Sequence, residues 1–198
     1  RDWHELYCAG HMIEAAVEYY KATGKDKLLN VMCDFVDLIY DKFGTGEDQI
    51  QGYPGHEEIE LAVVKLYEVT GEDKYLELSK FFVDKRGREP NYFIKEARKR
   101  DDDPEYWDLL GYKYNQAHLP VREQEEAVGH AVRAMYLYSG MADLARETGD
   151  DTLYKSCKRL WNNVTNKRMY ITGGVGSSGY AESFTFDYDL PGDTAYTE

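Results

Sequence analysis

The sequence predicts a mainly α-helical protein built from helical-hairpin repeats, and three observations support this fold class. Apolar residues recur with the helical spacing i, i+3, i+4 and i+7 through several long segments. The connections within each pair of segments are three or four residues around a glycine, which favours antiparallel helices. A Gly-His pair is followed by Thr-Gly-x-Asp at three places: Gly10-His11 before 23–26, Gly55-His56 before 70–73, and Gly129-His130 before 148–151.

The first pair of predicted helices covers residues 8–22 and 26–43. Met12, Ile13, Ala16 and Val17 form the apolar stripe of the first helix, and Gly24 should end it in a left-handed conformation. The second pair covers residues 56–69 and 73–84, and the third covers 128–147 and 151–164. Repeats that stack in register place equivalent positions on one rim, so the three Gly-His pairs are expected to lie together.

Two segments interrupt the pattern of hairpins. Residues 86–107 contain clustered arginines and Asp101-Asp102-Asp103-Pro104, which predicts a mostly exposed excursion that can include a short helix. Residues 113–127 lead back through His118 into another helical stretch, with Pro120 suited to a first helical turn.

After Lys167 the helical period ends. Residues 169–172 and 183–188 are predicted as short strands on either side of a flexible glycine-rich loop, residues 173–179. A phosphate-binding loop is not indicated, because no Gly-Lys-Ser/Thr follows and no helix begins there. We therefore divide the chain into helical hairpins, residues 1–168, and a loop region with short strands, residues 169–198, as two parts of one domain.

The composition excludes several classes of partner. A net charge of −13 disfavours binding to nucleic acid, and no apolar run approaches the roughly 18 residues that span a bilayer. The three cysteines, Cys8, Cys33 and Cys157, are odd in number and form no CxxC motif, which favours a reducing, cytoplasmic setting. The 18 tyrosines offer flat apolar faces with hydroxyl groups, a combination suited to binding sugars or to packing between helices.

Three of the five histidines, His11, His56 and His130, occupy the repeated position and are the candidate binding residues. Near a helix N-terminus the helix dipole disfavours the imidazolium form, so each ring should be neutral at pH 7. A neutral imidazole has one donor and one acceptor, which matches sugar hydroxyl groups. Two alternatives are rings bonded to neighbouring backbone inside the barrel and a three-histidine metal site.

Glu182 is the candidate proton donor. It follows the glycine-rich loop and precedes aromatic residues, and a carboxyl beside apolar rings has its charged form disfavoured. An exposed loop glutamate is the alternative interpretation. The nearby Asp187, Asp189 and Asp193 compete for the same role, whereas no pattern assigns one to His4, His118 or Glu123.

Several long motifs, in order along nearly the whole chain, resemble the β-L-arabinofuranosidases of glycoside hydrolase family 127. They lie at residues 4–11, 52–60, 118–124, 127–134, 171–177 and 186–198, with Gly192 as a small departure where the family pattern has Asn. The resemblance implies an (α/α)6 barrel and retaining hydrolysis of β-L-arabinofuranosides such as those on plant glycoproteins. It also implies that the sugar contacts His11, His56 and His130, and that Glu182 is the general acid/base.

In that family the nucleophile is a zinc-bound cysteine thiolate, and zinc is held by one glutamate, which matches Glu198, and three cysteines. The resemblance places those cysteines beyond Glu198, so Cys8, Cys33 and Cys157 are expected to be ordinary buried residues. We therefore expect a fragment that binds no zinc by itself, is inactive alone, and dimerises or aggregates through barrel edges. The alternative functions are another six-hairpin sugar enzyme, such as an epimerase or an unsaturated-uronide hydrolase, and a non-enzymatic helical binding module.

Overall fold

The computed structural model describes residues 4–108 and 110–197, and its architecture is mainly helical. The α-helices of these residues are α1 (Glu5–Thr23), α2 (Lys27–Lys42), α3 (Ile59–Thr70), α4 (Asp73–Lys85), α5 (Tyr92–Lys99), α6 (Ala131–Thr148) and α7 (Asp151–Asn163). Within this described part of the chain, no helix combines the length and the apolar character needed to cross a bilayer. The predicted fold class is confirmed, and the predicted helix limits are correct to within three residues.

Three hairpins make up the frame, namely α1–α2, α3–α4 and α6–α7. Helix α3 packs against α1 on one side and against α6 on the other, so these three helices form one layer. Helices α2, α4 and α7 are the second members of their hairpins and form the other layer. Two layers of hairpins in this order are part of an (α/α)6 barrel.

The repeated Thr-Gly phrase is a helix terminator. In each hairpin the threonine hydroxyl donates to the carbonyl oxygen four residues earlier, at 2.6 to 2.8 Å. The glycine that follows has a left-handed φ of 65° to 72° and caps the helix, as predicted for Gly24 and found also at Gly71 and Gly149. This conformation favours glycine because a Cβ atom would crowd the backbone there.

The core follows the layers. Its larger part lies between α1, α2, α3 and α4, and is centred on fully buried residues such as Ile13, Val36, Leu66 and Phe82. A second part joins α3 to α6 and α7. Since removing one such buried leucine typically costs about 2–5 kcal/mol, packing of these faces determines where the helix ends are held.

The prediction of a mostly exposed excursion over residues 86–107 is wrong for its first half. Arg86 is fully buried, and α5 buries Tyr92 and Phe93 while Asn91 caps its first turn. Of the charged residues that suggested exposure, Arg98 and Lys99 lie in the last turn of α5 and are exposed. Pro120 precedes a single 3-10 turn, Val121–Glu123, instead of a longer helix.

The loop region after α7 forms isolated bridges and no extended strand within the described residues. Met169 pairs with Val175, and Ser183 pairs with both Ser178 and His130. Left-handed residues at 173, 176, 181 and 182 lie between the two predicted strands, and Tyr188, with a φ of 66°, interrupts the second one. Val175 and Phe184 pack against α6, so the loop region is attached to the helical frame.

Candidate active site

The structure brings the three repeated histidines into one cluster. The ring centroids of His56 and His130 are 5.8 Å apart. Tyr7 connects the third histidine, since its ring lies 4.3 Å from that of His56 and 4.4 Å from that of His11. Residues from α1, from the segment before α3 and from the start of α6 therefore meet at one end of the layer that α1, α3 and α6 form.

Other aromatic residues of the cluster were not identified from the sequence. Tyr136 of α6 contacts the rings of Tyr7, His11 and His56 at 5.7 to 6.1 Å. His4, to which no pattern assigned a role, lies 5.5 Å from His56. The available signal was helical spacing, because His4 and Tyr7 precede the sequence position of His11 by seven and four residues and share its helix face.

The three histidines do not occupy one structural position, contrary to the prediction. His11 lies inside α1, His56 lies three residues before α3, and His130 is the N-cap residue of α6. The helix-dipole argument therefore applies at most to His130. The rings converge because their helices are neighbours, and not because the hairpins are identical.

Burial, with the nearby Arg133 guanidinium, keeps two of these rings neutral. Burial lowers the pKa of His56 to about 3, and the positive charge of Arg133 adds to this effect. The same two causes lower the pKa of His130 to about 4, against the opposing effect of Glu182. The predicted neutral state is thus found for both residues, but its cause is desolvation.

Backbone acceptors orient His56. The Gly55 carbonyl oxygen accepts hydrogen bonds from the Asn115 side chain at 2.7 Å and from Arg133. The Nδ1 atom of His56 lies 2.7 Å from the carbonyl oxygen of Glu57, which requires the proton to be on Nδ1. Nε2 is consequently left as an acceptor.

A buried ion cluster supports the same segment. The guanidinium of Arg86 contacts Glu57 at 2.9 Å and Glu60 at 3.0 Å, and all three side chains are inaccessible to solvent. Arg86 also donates to the carbonyl oxygens of Pro54 and Asn115 at 2.9 and 2.8 Å. Arg86 therefore fixes the segment that carries His56 through both its side chains and its backbone carbonyl groups.

Glu182 lies at the edge of the histidine cluster. Its Oε2 atom is 2.8 Å from Nε2 of His130, and its side chain is 43% exposed. The expected burial against apolar rings is thus wrong, and the polar partner is an imidazole. Backbone pairing explains the contact, since Ser183 bridges to His130 and the Phe184 N–H donates to the Gly129 carbonyl at 2.9 Å.

The backbone at Glu182 is strained. Ala181 and Glu182 have φ values of 56° and 47°, in the left-handed region that non-glycine residues rarely adopt. Each such residue costs of the order of 1–3 kcal/mol, and such costs are found preferentially at functional sites.

Other sequence candidates have different environments. The Asp187 carboxylate accepts from Lys167, Arg168 and Asn163, so it stabilises the loop region instead of facing the cluster. Glu198 lies outside the described residues. The expectation of buried cysteines is wrong for Cys8, which is exposed, and Cys33 and Cys157 are only half-buried.

Among the residues that the structure describes, one group has donor atoms close enough to hold a metal ion. It consists of His11, Glu14 and Glu58, whose ligand atoms lie within 4.8 Å of one another. The group contains no cysteine and does not correspond to the expected zinc site of one glutamate and three cysteines.

A large cavity lies elsewhere, between α6, α7 and the loop region. It has a volume of about 670 Å³ and is lined mainly by apolar groups, including Tyr138, Tyr154, Trp161 and Met169. Sugar recognition needs several convergent polar groups, which the histidine cluster has, whereas the lining of this cavity is mostly apolar. The histidine cluster with Glu182 is therefore the better candidate for the active site.

Neutral imidazoles, tyrosines and a loop carboxyl meet at one end of the three hairpins, a set of polar and aromatic groups suited to a carbohydrate-active enzyme. Comparison with known proteins gives the family. All residues, 1–198, match the family described as β-L-arabinofuranosidase, GH127 catalytic domain, and the chain belongs to it. The resemblance found in the sequence is confirmed, and the chain is part of the catalytic domain of a glycoside hydrolase.

Individual relatives agree with this assignment. The chain is 48% identical over 197 residues to a non-reducing end β-L-arabinofuranosidase of Bifidobacterium longum subsp. longum, with 98% of this chain and 30% of the relative covered. The structure of a GH127 β-L-arabinofuranosidase from Geobacillus stearothermophilus T6 matches with 60% identity and a TM-score of 0.96, over 98% of this chain and 31% of that one. A GH127 β-arabinofuranosidase structure matches with 44% identity and a TM-score of 0.84, over 98% and 28%. The chain thus spans about a third of the length of these relatives.

Proposed function

We propose that this chain supplies the sugar-binding residues and the acid/base carboxyl of a retaining β-L-arabinofuranosidase. In the intact protein this enzyme removes β-L-arabinofuranosyl residues from plant-type glycans. The observation that carries the proposal is the 2.8 Å contact between Glu182 and His130, at the edge of a cluster that also contains His11 and His56. Membership of the family supports the substrate class.

The histidines are suited to bind hydroxyl groups. Because burial keeps His56 and His130 neutral, each ring offers one donor and one acceptor without placing a positive charge beside the sugar. The Nδ1–H of His56 donates to the Glu57 carbonyl oxygen, so Nε2 is left to accept a hydrogen bond from a sugar hydroxyl. Tyr7 and Tyr136 supply flat apolar faces next to these polar atoms.

Glu182 protonates the leaving group. Its Oε2 atom lies 2.8 Å from Nε2 of His130, so the ring holds the carboxyl at the edge of the cluster. Glu182 can then donate a proton to the glycosidic oxygen in the first step and accept one from water in the second, the exchange of roles of a retaining enzyme. General acid/base catalysis of this kind typically contributes about 10²–10⁴-fold.

The resemblance assigns the nucleophile and the metal site to cysteines together with Glu198. The cysteines of this chain do not fit that role, because no cysteine belongs to a metal-like cluster in residues 4–108 and 110–197. We derive no catalytic step through a metal ion from these residues. We propose that turnover needs residues of the intact protein in addition to this chain, and that Glu198 contributes one metal ligand there.

The test is Glu182→Gln in the intact enzyme, assayed on aryl β-L-arabinofuranosides. We expect kcat for a poor leaving group to fall by about 10²–10⁴-fold, because the glycosidic oxygen leaves without a proton. The deficit in the glycosylation step should be much smaller with a dinitrophenyl leaving group, which needs no protonation. The 198-residue chain alone should show no turnover.

Asp193→Asn is the matched control, since Asp193 is an exposed acid in the same loop region. It should leave kcat within about twofold. If Asp193→Asn lowered kcat as much as Glu182→Gln, or if the effect of Glu182→Gln did not depend on the leaving group, the assignment of Glu182 would be wrong.

A further inference from the structure

A buried carboxyl group beside the histidine cluster is not explained by the proposed mechanism. The side chain of Glu58 has no solvent exposure, and neither of its carboxyl oxygens has a hydrogen-bond donor among the described residues. Gly10 makes room for this carboxyl, because a Cβ atom at Gly10 would overlap it. An ionised carboxyl left in this state would be strongly destabilising.

Two groups of α1 lie against Glu58. Its Oε1 atom is 3.6 Å from Nδ1 of His11, and the Oε2 atom of Glu14 is 3.7 Å from the same nitrogen. Both distances exceed a hydrogen bond by a few tenths of an ångström, so a small side-chain rotation closes either contact, as is common in sites without substrate. The ammonium group of Lys65 is bonded to Glu14.

If Glu58 and Glu14 together carry one proton, their single negative charge balances the positive charge of Lys65. Two adjacent carboxyls in a desolvated site do not both ionise. Burial raises the pKa of Glu58 to about 10, and Glu14 adds to the rise. Burial also opposes ionisation of Glu14, but its neighbours Glu58 and Lys65 outweigh this effect and lower the pKa of Glu14. The titratable groups that face Glu58 are Glu14 and His11 on α1, Glu60 and Lys65 on α3, and Tyr136 on α6.

We propose that Glu58 and Glu14 share one proton and act together as positioning residues for His11, which they hold with Nδ1 protonated. The hydroxyl group of Glu58 donates a hydrogen bond to the Glu14 carboxylate. The Oε1 atom of Glu58 and the Oε2 atom of Glu14 accept a hydrogen bond from the Nδ1–H of His11. Nε2 of His11 is then an acceptor, as it is in His56. Only the further statement that Nε2 binds a sugar hydroxyl rests on the proposed function.

A divalent cation held by the same three residues is the competing explanation. The spacing of the donor atoms permits it. However, the Lys65 ammonium group already donates a hydrogen bond to the Glu14 carboxylate, and a cation would have to displace it. One shared proton satisfies both carboxyls without that exchange, which is why the proton is favoured here.

The test is the tautomer of His11, measured at pH 7 from the side-chain ¹⁵N shifts and one-bond N–H couplings of the intact protein. We expect the Nδ1–H tautomer in the wild type, with a protonated ¹³C-carboxyl signal for Glu58 between pH 6 and 8. Glu58→Leu should shift His11 towards a mixture of tautomers, because it removes both the donor to Glu14 and an acceptor of the Nδ1 proton. Glu58→Gln should restore the Nδ1–H tautomer, since an amide has the same donor and acceptor arrangement as the protonated acid.

Glu68→Leu is the control, because Glu68 lies on α3, which begins directly after Glu58, and pairs with Arg146. An Nε2–H tautomer in the wild type, an ionised Glu58 carboxyl, or a lack of rescue by Glu58→Gln would each overturn the proposal. Added Mn²⁺, Ca²⁺ or Zn²⁺ that bound with micromolar affinity and shifted the His11 signals would also overturn it in favour of a metal site. The wild-type measurements decide the question even if Glu58→Leu does not fold.

Activity separates this inference from the proposed function. In the intact enzyme, Glu58→Leu should raise KM roughly three- to tenfold, about the contribution of one hydrogen bond, and change kcat less. Glu58→Gln should recover most of the loss. If the tautomer changed as expected while KM did not, the positioning role would stand and the sugar contact of His11 would be refuted.

Discussion

Gly129 is the position where the backbone most directly controls the candidate active site. It precedes His130, has a φ of +74°, and a Cβ atom added there would overlap the Lys113 carbonyl and lie 2.9 Å from the Tyr114 nitrogen. Gly71 has nearly the same φ, +72°, but a Cβ atom there would meet nothing within 4 Å. A comparison of alanine substitutions at these two glycines therefore separates the cost of a left-handed backbone from the cost of steric overlap.

The expected magnitudes follow from this comparison. Placing alanine in a left-handed conformation costs roughly 1–2 kcal/mol, and the reduced freedom of the unfolded chain offsets about 0.5–1 kcal/mol of it. Gly71→Ala should therefore lower the free energy of unfolding by about 0.5–1 kcal/mol. Gly129→Ala should cost a further 1–3 kcal/mol, because the backbone of residues 113 and 114 has to move.

The assay is urea unfolding of both variants, monitored by circular dichroism. The dependence of the free energy of unfolding on urea concentration should be the same in both variants, which shows that they unfold in the same transition. In the intact enzyme, Gly129→Ala should also raise KM, because it displaces His130, while Gly71→Ala should not. Equal losses of stability in the two variants would refute the reasoning, since they would show that the close approach of residue 113 has no energetic effect.

Three further predictions concern stability and reactivity. Arg86→Met should lower the free energy of unfolding by about 3–5 kcal/mol, measured by urea unfolding, because it leaves two buried glutamates without their cation. The bonds from Lys167 and its neighbours lower the pKa of Asp187 from 3.8 to about 2, so its contribution to stability is complete above pH 4 and is lost as the pH falls towards 2. Asp187→Asn should therefore flatten the fall in melting temperature over this interval. Cys8 should react with iodoacetamide much faster at pH 8 than Cys157, because Cys8 is exposed while burial raises the pKa of Cys157 to about 11, and mass spectrometry of peptides can compare the rates.

Much of the fold could be predicted from local patterns. The apolar period and the Thr-Gly phrase identified the helices of all three hairpins, because both signals act within one or two turns of the chain. The strands over residues 169–172 and 183–188 were predicted wrongly, and in the second segment the alternation of polar and aromatic residues did not reveal the left-handed backbone at Tyr188. Arg86 was placed on the surface because its partners, Glu57 and Glu60, are distant in sequence.

The candidate site was predicted in part, and partly for the wrong reason. The repeated Gly-His pair correctly selected three rings that meet, yet each glycine has a different task. Gly10 makes room for the Glu58 carboxyl, Gly55 offers its carbonyl oxygen to two donors, and Gly129 adopts a left-handed turn. Arg133 and Tyr136 could not be found by pattern, because only the packing of α6 against α3 brings them to the histidines.

The two sides of the candidate site differ in how they are anchored. The histidines belong to helices or to a segment fixed by Arg86, whereas Glu182 depends on a few bridges between residues 177–184 and the start of α6. Backbone amides of residues 177–184 should therefore exchange with deuterium through local opening, at a lower free energy than those of α3. Under the proposed function, Glu182 can therefore move with this loop during product release while the histidines stay in place. Substitutions in residues 177–184 are then expected to change the leaving-group preference with little effect on the melting temperature.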